Sequence, residues 1–66
     1  MKSSAKINVY RHRGEWFFAM WIDDEFDCSY DLDVDDASSI DAAIETARTM
    51  PLRPDIGTLD VRYVRS

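Results

Sequence analysis

Residues 26–35 read Phe-Asp-Cys-Ser-Tyr-Asp-Leu-Asp-Val-Asp. Phe26, Cys28, Tyr30, Leu32 and Val34 alternate with Asp27, Ser29, Asp31, Asp33 and Asp35. Successive side chains of a strand point to opposite faces, so this unbroken period of two predicts a half-buried β-strand. Its apolar set is expected to enter the core and its aspartates to face water. Upstream, residues 15–22 place Trp16, Phe18, Met20 and Ile22 on one face and Phe17, Ala19 and Trp21 on the other. A strand apolar on both faces is expected at the centre of a sheet, with both faces at least partly covered. Residues 5–11 alternate Ile7 and Val9 with Asn8 and Tyr10 and predict the first strand of a hairpin. Its turn covers residues 11–14, where Gly14 is free to take positive φ. Asp23, Asp24 and Glu25 form the next turn.

Downstream the period changes. Ile40, Ala43, Ile44 and Ala47 recur at helical spacing and predict a buried stripe. Ser38 is the expected N-cap, with Asp41 three residues on as its capping-box partner. Met50 and Pro51 end the helix. Residues 51–57, with two prolines, predict a loop, and Leu59, Val61 and Tyr63 alternate with Asp60, Arg62 and Val64 in a last strand. The expected fold class is α+β: a β-β-β-α-β chain forming a mainly antiparallel twisted sheet with one helix packed on one face.

A chain of 66 residues is expected to form one acidic domain, over 1–66. A domain this small buries only about 60% of its unfolded surface, so the core is thin and a deep catalytic cleft is not expected. An apolar content of 45% opposes disorder despite the charge. The single cysteine, Cys28, allows no internal disulfide and suits a reducing cytoplasm. Residues 1–6 are polar and predict no targeting segment. The longest apolar run, residues 16–22, is too short to span a bilayer as a helix.

The residues do not assemble into a catalytic or metal-binding constellation, so no enzyme, no cofactor and no metal is expected. His12, the only histidine, lies between Arg11 and Arg13, whose charges disfavour its protonated form. Cys28 falls on the inward face of the third strand and is expected to be a small core residue. A calcium loop needs Gly at its sixth position and Glu at its twelfth. A loop starting at Asp23 has Cys28 and Val34 there, and one starting at Asp31 has Asp36 and Ala42. The chain has two glycines, Gly14 and Gly57, and no glycine-rich phosphate loop.

Charge is the informative property. Residues 1–13 carry four bases and no acid. Residues 14–47 carry eleven acids and no Lys or Arg, and residues 48–66 carry four arginines against two acids, for a net charge of -5. Local density sets the local field. Alternate strand residues lie about 6.6–6.8 Å apart, so Asp27, Asp31, Asp33 and Asp35 are expected to form a row. Asp23, Asp24 and Glu25 extend it at one end and Asp36 at the other. DNA phosphates on one strand advance about 3.4 Å per nucleotide along the axis and wind around it, so the row has a similar charge density. Acids also confer solubility and keep sheet edges from pairing, but solubility alone normally mixes both signs. The segment therefore predicts an electropositive protein partner, with no direct binding to nucleic acid and no membrane association. Trp16 or Trp21, if on the uncovered sheet face, is the expected aromatic anchor.

Small size, an isolated α+β fold and blocked acidity together resemble phage-encoded anti-CRISPR proteins, in particular the small acidic inhibitors of type I systems. The resemblance covers the whole chain in character and rests on no signature motif. It implies a DNA mimic in the cytoplasm of a host bacterial cell. Its partner would be the large DNA-reading subunit of the Cascade complex, blocked by Asp23, Asp24, Glu25, Asp27, Asp31, Asp33, Asp35 and Asp36. A monomer is expected on that reading. Residues 14–17, Gly-Glu-Trp-Phe, the acidic strand, and residues 39–47, Ser-Ile-Asp-Ala-Ala-Ile-Glu-Thr-Ala, are similar to HicB-type antitoxins over about half the chain. That family shares the β-β-β-α-β layout, although this chain lacks its proline-containing segment after the second strand. The likeness implies an antitoxin or adaptor binding a basic nuclease, dimeric through an exposed sheet face.

Overall fold

β1 (Ser3–His12) and β2 (Glu15–Ile22) pair antiparallel in continuous register from Ala5 opposite Ile22 to His12 opposite Glu15. The computed structural model describes residues 2–65, so Met1 and Ser66, which the expected domain 1–66 and polar N-terminus include, lie outside it. Arg13 and Gly14 close the hairpin with φ of 54° and 81°. Two positive φ values in a two-residue loop match the right-handed twist of the flanking strands. β2 then pairs antiparallel with β3 (Glu25–Asp31) through a second two-residue turn, Asp23 and Asp24, with φ of 51° and 69°. Glu25 therefore opens β3 rather than closing the turn. Aspartate tolerates the left-handed region better than most residues, but glycine has no Cβ to strain there. Asp24→Gly is expected to raise stability by up to about 1 kcal/mol, read as a higher urea midpoint at unchanged slope. A lower midpoint would show that the Asp24 carboxylate holds the turn.

α1 (Ile40–Arg48) carries the chain across to β4 (Ile56–Tyr63), which pairs parallel to β1. The sheet is mixed, in the order β3-β2-β1-β4, with two of its three pairings antiparallel. The fold is thus the α+β arrangement expected, β-β-β-α-β with the helix on one face. β4 begins three residues before Leu59 because a bulge extends it. Ser3 pairs with Ile56 and Ser4 with Thr58, leaving Gly57 as the extra residue. A Cβ on Gly57 would lie 2.6 Å from Lys2 Cβ, so only glycine lets the N-terminal backbone come this close.

α1 lies against β4 and β1. Ala43 and Ala47 are fully buried, and their small side chains bring the helix onto a core of Ile7, Val9, Trp16, Phe18, Met20 and Leu32. Ile40, expected in the buried stripe, is instead 44% exposed at the first turn, and Ile44 is half-buried. The cap is Ser39, not Ser38. Ser39 Oγ accepts from Ala42 N–H at 3.2 Å, while the Ser38 carbonyl accepts from Trp16 Nε1 at 3.3 Å and the Ser38 N–H donates to the Asp35 carbonyl. The 32–39 loop thus ends by wrapping Trp16, and the helix starts one residue later than its sequence pattern suggests.

The third strand is shorter than its alternation predicts. β3 stops at Asp31, and Leu32 N–H makes a last bond to the Trp16 carbonyl at 3.0 Å. A strand needs a neighbour to exchange backbone hydrogen bonds. β2 begins at Glu15, so only Glu15 is left opposite Asp33 and nothing opposite Val34 or Asp35, and the chain turns away as Val34 N–H donates to the Leu32 carbonyl at 2.8 Å. Leu32 is still buried and Val34 half-buried, so the alternation correctly marks which residues turn inward and misleads only about pairing. The two-residue Asp23-Asp24 turn sets Phe26 opposite Trp21, and a register shift between Met20 and Trp21 then sets Cys28 opposite Met20 with Asp27 as the extra residue. That extra residue puts Phe26 and Cys28 on opposite faces, Phe26 on the one away from the helix. Phe26 is 61% exposed as a result, and Tyr30, on the helix side but at the sheet edge farthest from α1, is 65% exposed. Both were expected in the core. Cys28 is half-buried against the core as a free thiol.

Candidate functional site

The sheet order decides what surrounds the acids. β3 is one outer edge and β4 the other, with β2 and β1 between them. All eight acids singled out by sequence are exposed, in the turn before β3, on β3 and in the loop between β3 and α1. They are not one ruler. Asp23 and Asp24 occupy the turn, Glu25 starts β3, Asp27 lies at the bulge and Asp31 ends the strand. Asp33, Asp35 and Asp36 fall in the loop, so the expected strand row breaks after Asp31 for the pairing reason given above. From Asp27 to Asp31 the strand advances about 13 Å.

Three groups form at different places. At the hairpin end, Asp23, Glu25 and Asp27 line a shallow depression of about 370 Å³ with Ser3, Ile22, Phe26 and Arg53. Asp23 Oδ1 accepts from Ser4 N–H at 2.9 Å, and Asp23 N–H donates to the Ser4 carbonyl at 2.9 Å. The Ser4 N–H, and next the Ser3 side chain, hold the Asp23 carboxyl below its ordinary pKa against slight desolvation; the Arg53 charge adds to this. A depressed folded-state pKa adds stability above the unfolded value, and this is lost as pH falls through the folded value. Asp23→Asn keeps an acceptor for Ser4 and loses the charge. Its deficit against the parent chain is expected at neutral pH and is expected to vanish at the acid end of a pH series of denaturation midpoints. A constant deficit across pH would assign the effect to geometry alone.

Midway, Asp31 lies opposite Phe17 on the sheet face away from the helix. At the far end, Asp35 is a turn-former: its Oδ1 accepts from Ala37 N–H at 2.8 Å. The Asp36 carbonyl accepts from Arg11 Nη2 at 2.8 Å, so Arg11 docks on the loop backbone. Arg62 is elsewhere, on β4, and pairs with Asp60 at 3.0 Å. Arg53 pairs with Asp55 at 3.2 Å. Neither of these ion pairs includes any of the eight acids. Arginines thus reach the two ends of the acidic edge, and the sheet order holds β4 and its Arg62 away from it.

The face away from the helix carries aromatic side chains beside the acids. Tyr10 stacks on Phe17 at 5.8 Å, His12 meets Phe17 edge-on at 6.2 Å, and Trp21 meets Phe26 edge-on at 5.6 Å. Tyr10 Oη lies 3.3 Å from Ser29 Oγ. Of the two tryptophans, Trp16 is buried under the helix and Trp21 is half-buried on the open face. Phe26 and Arg53 beside the hairpin end, and Tyr30 on the helix side of β3, are surface residues near the acids that the sequence reading missed. The usable signal was turn length: a two-residue Asp23-Asp24 turn sets Phe26 opposite Trp21. Burial, then the neighbouring Asp27, pushes the Cys28 thiol up from its ordinary value, away from nucleophilic chemistry. Among the described residues no three His, Cys, Asp or Glu side chains converge as a metal ion requires, and no helix is long and apolar enough to cross a membrane. Compared with protein-family models, with curated proteins and with solved structures, the chain matches none.

Proposed function

We propose that this protein is a non-enzymatic inhibitor that sets its acidic β3 edge against the basic, DNA-holding surface of another protein. The supporting observation is the sheet order. It puts Glu25, Asp27 and Asp31 on one outer edge, with Asp23 and Asp24 in the turn before it, Asp33, Asp35 and Asp36 exposed in the loop after it, and β4 with its Arg62 at the opposite edge. Lys and Arg that normally hold phosphates would meet these carboxylates through charge-assisted hydrogen bonds. Long-range attraction would speed the encounter and would weaken with salt. The anti-CRISPR resemblance names the large DNA-reading subunit of a type I Cascade complex as the first target to try. The experiment is competition: purified Cascade, labelled double-stranded target DNA and increasing amounts of this protein. The expected result is displacement of DNA, weakening as salt rises. Undiminished DNA binding at saturating protein across several Cascade types would remove Cascade as the target.

A second reading, a HicB-like antitoxin or adaptor, is favoured by the β-β-β-α-β order and the Ser39-capped helix. It also ends at a basic partner, a toxin nuclease. A dimer in solution that binds such a nuclease tightly and leaves Cascade untouched would favour it.

A further inference from the structure

β3 closes the sheet on one side, and among the described residues no strand pairs with its outer edge. The ladder tells which backbone groups face outward. Leu32 N–H bonds inward to the Trp16 carbonyl. Antiparallel residues alternate between inward and outward bonding, so Tyr30 and Cys28 bond toward β2, while Ser29 and Asp31 turn their N–H and C=O groups to solvent. A bare row of this kind is a template for another chain.

The side chains on the edge say which chain. Glu25, Asp27 and Asp31 give it one sign of charge. A second copy, paired antiparallel about Cys28, would set Glu25 against the other copy's Asp31, and like charges directly opposite destabilise a pair. A segment bearing Lys or Arg would meet opposite charge at the same positions. Acids alone would serve to keep an edge apart. Phe26 and Tyr30, both more than half exposed on this seven-residue strand, work against that purpose and offer apolar anchors, one on each face of the sheet.

We propose that the free edge of β3 takes an extended, Lys- or Arg-bearing segment of the partner protein as a fifth strand. Main-chain bonds to Ser29 and Asp31 supply affinity, and the flanking acids and aromatic rings select the side chains. This rests on the function proposed above and specifies how the basic partner is held.

The probe is a capped seven-residue peptide alternating Lys and Val, together with a twin whose backbone nitrogens along one edge are methylated. The twin keeps the charge and loses the ladder. The expected result is that the first peptide slows hydrogen exchange at the Ser29 and Asp31 amides. N-methylation is expected to weaken binding at least about tenfold, the net worth of one or two backbone hydrogen bonds. Ser29→Pro removes an outward donor on an edge strand, where proline is tolerated, and is expected to weaken binding similarly at unchanged circular dichroism. If the methylated twin binds as well as its parent while Asp31→Lys with Asp33→Lys abolishes both, strand addition is wrong and the acidic docking surface stands. If neither peptide binds but DNA is still displaced from Cascade, strand addition is again wrong; loss of displacement as well removes both readings. A concentration-dependent dimer with protected Ser29 and Asp31 amides in the absence of peptide would assign the edge to a second copy and overturn the proposal.

Discussion

Replacing Trp16 with alanine is expected to leave most of the chain unfolded at room temperature. Trp16 is 2% exposed and ties together parts of the fold distant in sequence. Its Nε1 donates to the Ser38 carbonyl at 3.3 Å, which fixes the start of α1. Its carbonyl accepts the last β3-side bond, from Leu32 N–H. Its ring meets Tyr63 of β4 edge-on at 5.9 Å, and the Arg11 guanidinium sits 4.9 Å from the ring centroid. Truncating a buried tryptophan to alanine costs about 3–5 kcal/mol. A core in a domain this small supplies about 3–5 kcal/mol in total. The two figures are equal in size, so the folded state loses its margin. Trp16→Phe keeps an aromatic ring and loses the Ser38 bond, at a net hydrogen-bond cost of about 0.5–1.5 kcal/mol plus lost volume, and is expected to fold with a lower midpoint. Urea titrations followed by far-ultraviolet circular dichroism check both. A Trp16→Ala chain that still unfolds cooperatively within about 1 kcal/mol of the parent would show that the loop and β4 are held by other contacts.

The second large effect is on binding. Asp31→Lys combined with Asp33→Lys is expected to abolish DNA displacement from Cascade while the fold persists. Both side chains are exposed, one at the end of β3 and one in the following loop. Interfacial charge pairs that lose one partner cost about 2–5 kcal/mol when buried and far less at the rim. Taking about 1–2 kcal/mol for each reversed site gives a loss of roughly 30-fold to 1,000-fold. Glu15→Lys with Glu45→Lys makes the same change in net charge on β2 and α1, at residues the proposed surface excludes. It is expected to cost little beyond a slower association. Equal weakening by the two pairs would mean that total charge, not the β3 edge, governs the interaction.

Local order was largely legible from the chain. The alternation of Trp16, Phe18 and Met20 with Phe17, Ala19 and Trp21 marks a central strand, and β2 is central. Ala43 and Ala47 identify the buried helix stripe, because a period near 3.6 has no other solution. Ser39 in place of Ser38 as cap was not legible. Both residues are capping types, and the choice depends on Trp16 Nε1 taking the Ser38 carbonyl across the fold. The acids were legible as a surface, since aspartates opposite buried Leu32 and half-buried Val34 have only water to face.

By itself, then, the sequence determined that residues 14–47 carry acids with no Lys or Arg and that β-β-β-α-β is the order of elements. Both follow from local periodicity and charge, which each segment carries on its own. Only the tertiary structure decided where the acidic strand sits, how long it is and which side its aromatics take. β3 is an edge because β4 returns parallel to β1 on the far side. It ends at Asp31 because only Trp16 and Glu15 of β2 lie beyond that pairing and the chain leaves after one last bond to Trp16, and Phe26 and Cys28 take opposite faces because one extra residue, Asp27, enters the ladder between them. Each of these is a property of a pair of segments. Backbone hydrogen bonds in a sheet are satisfied only between strands, so no single stretch of chain contains the answer.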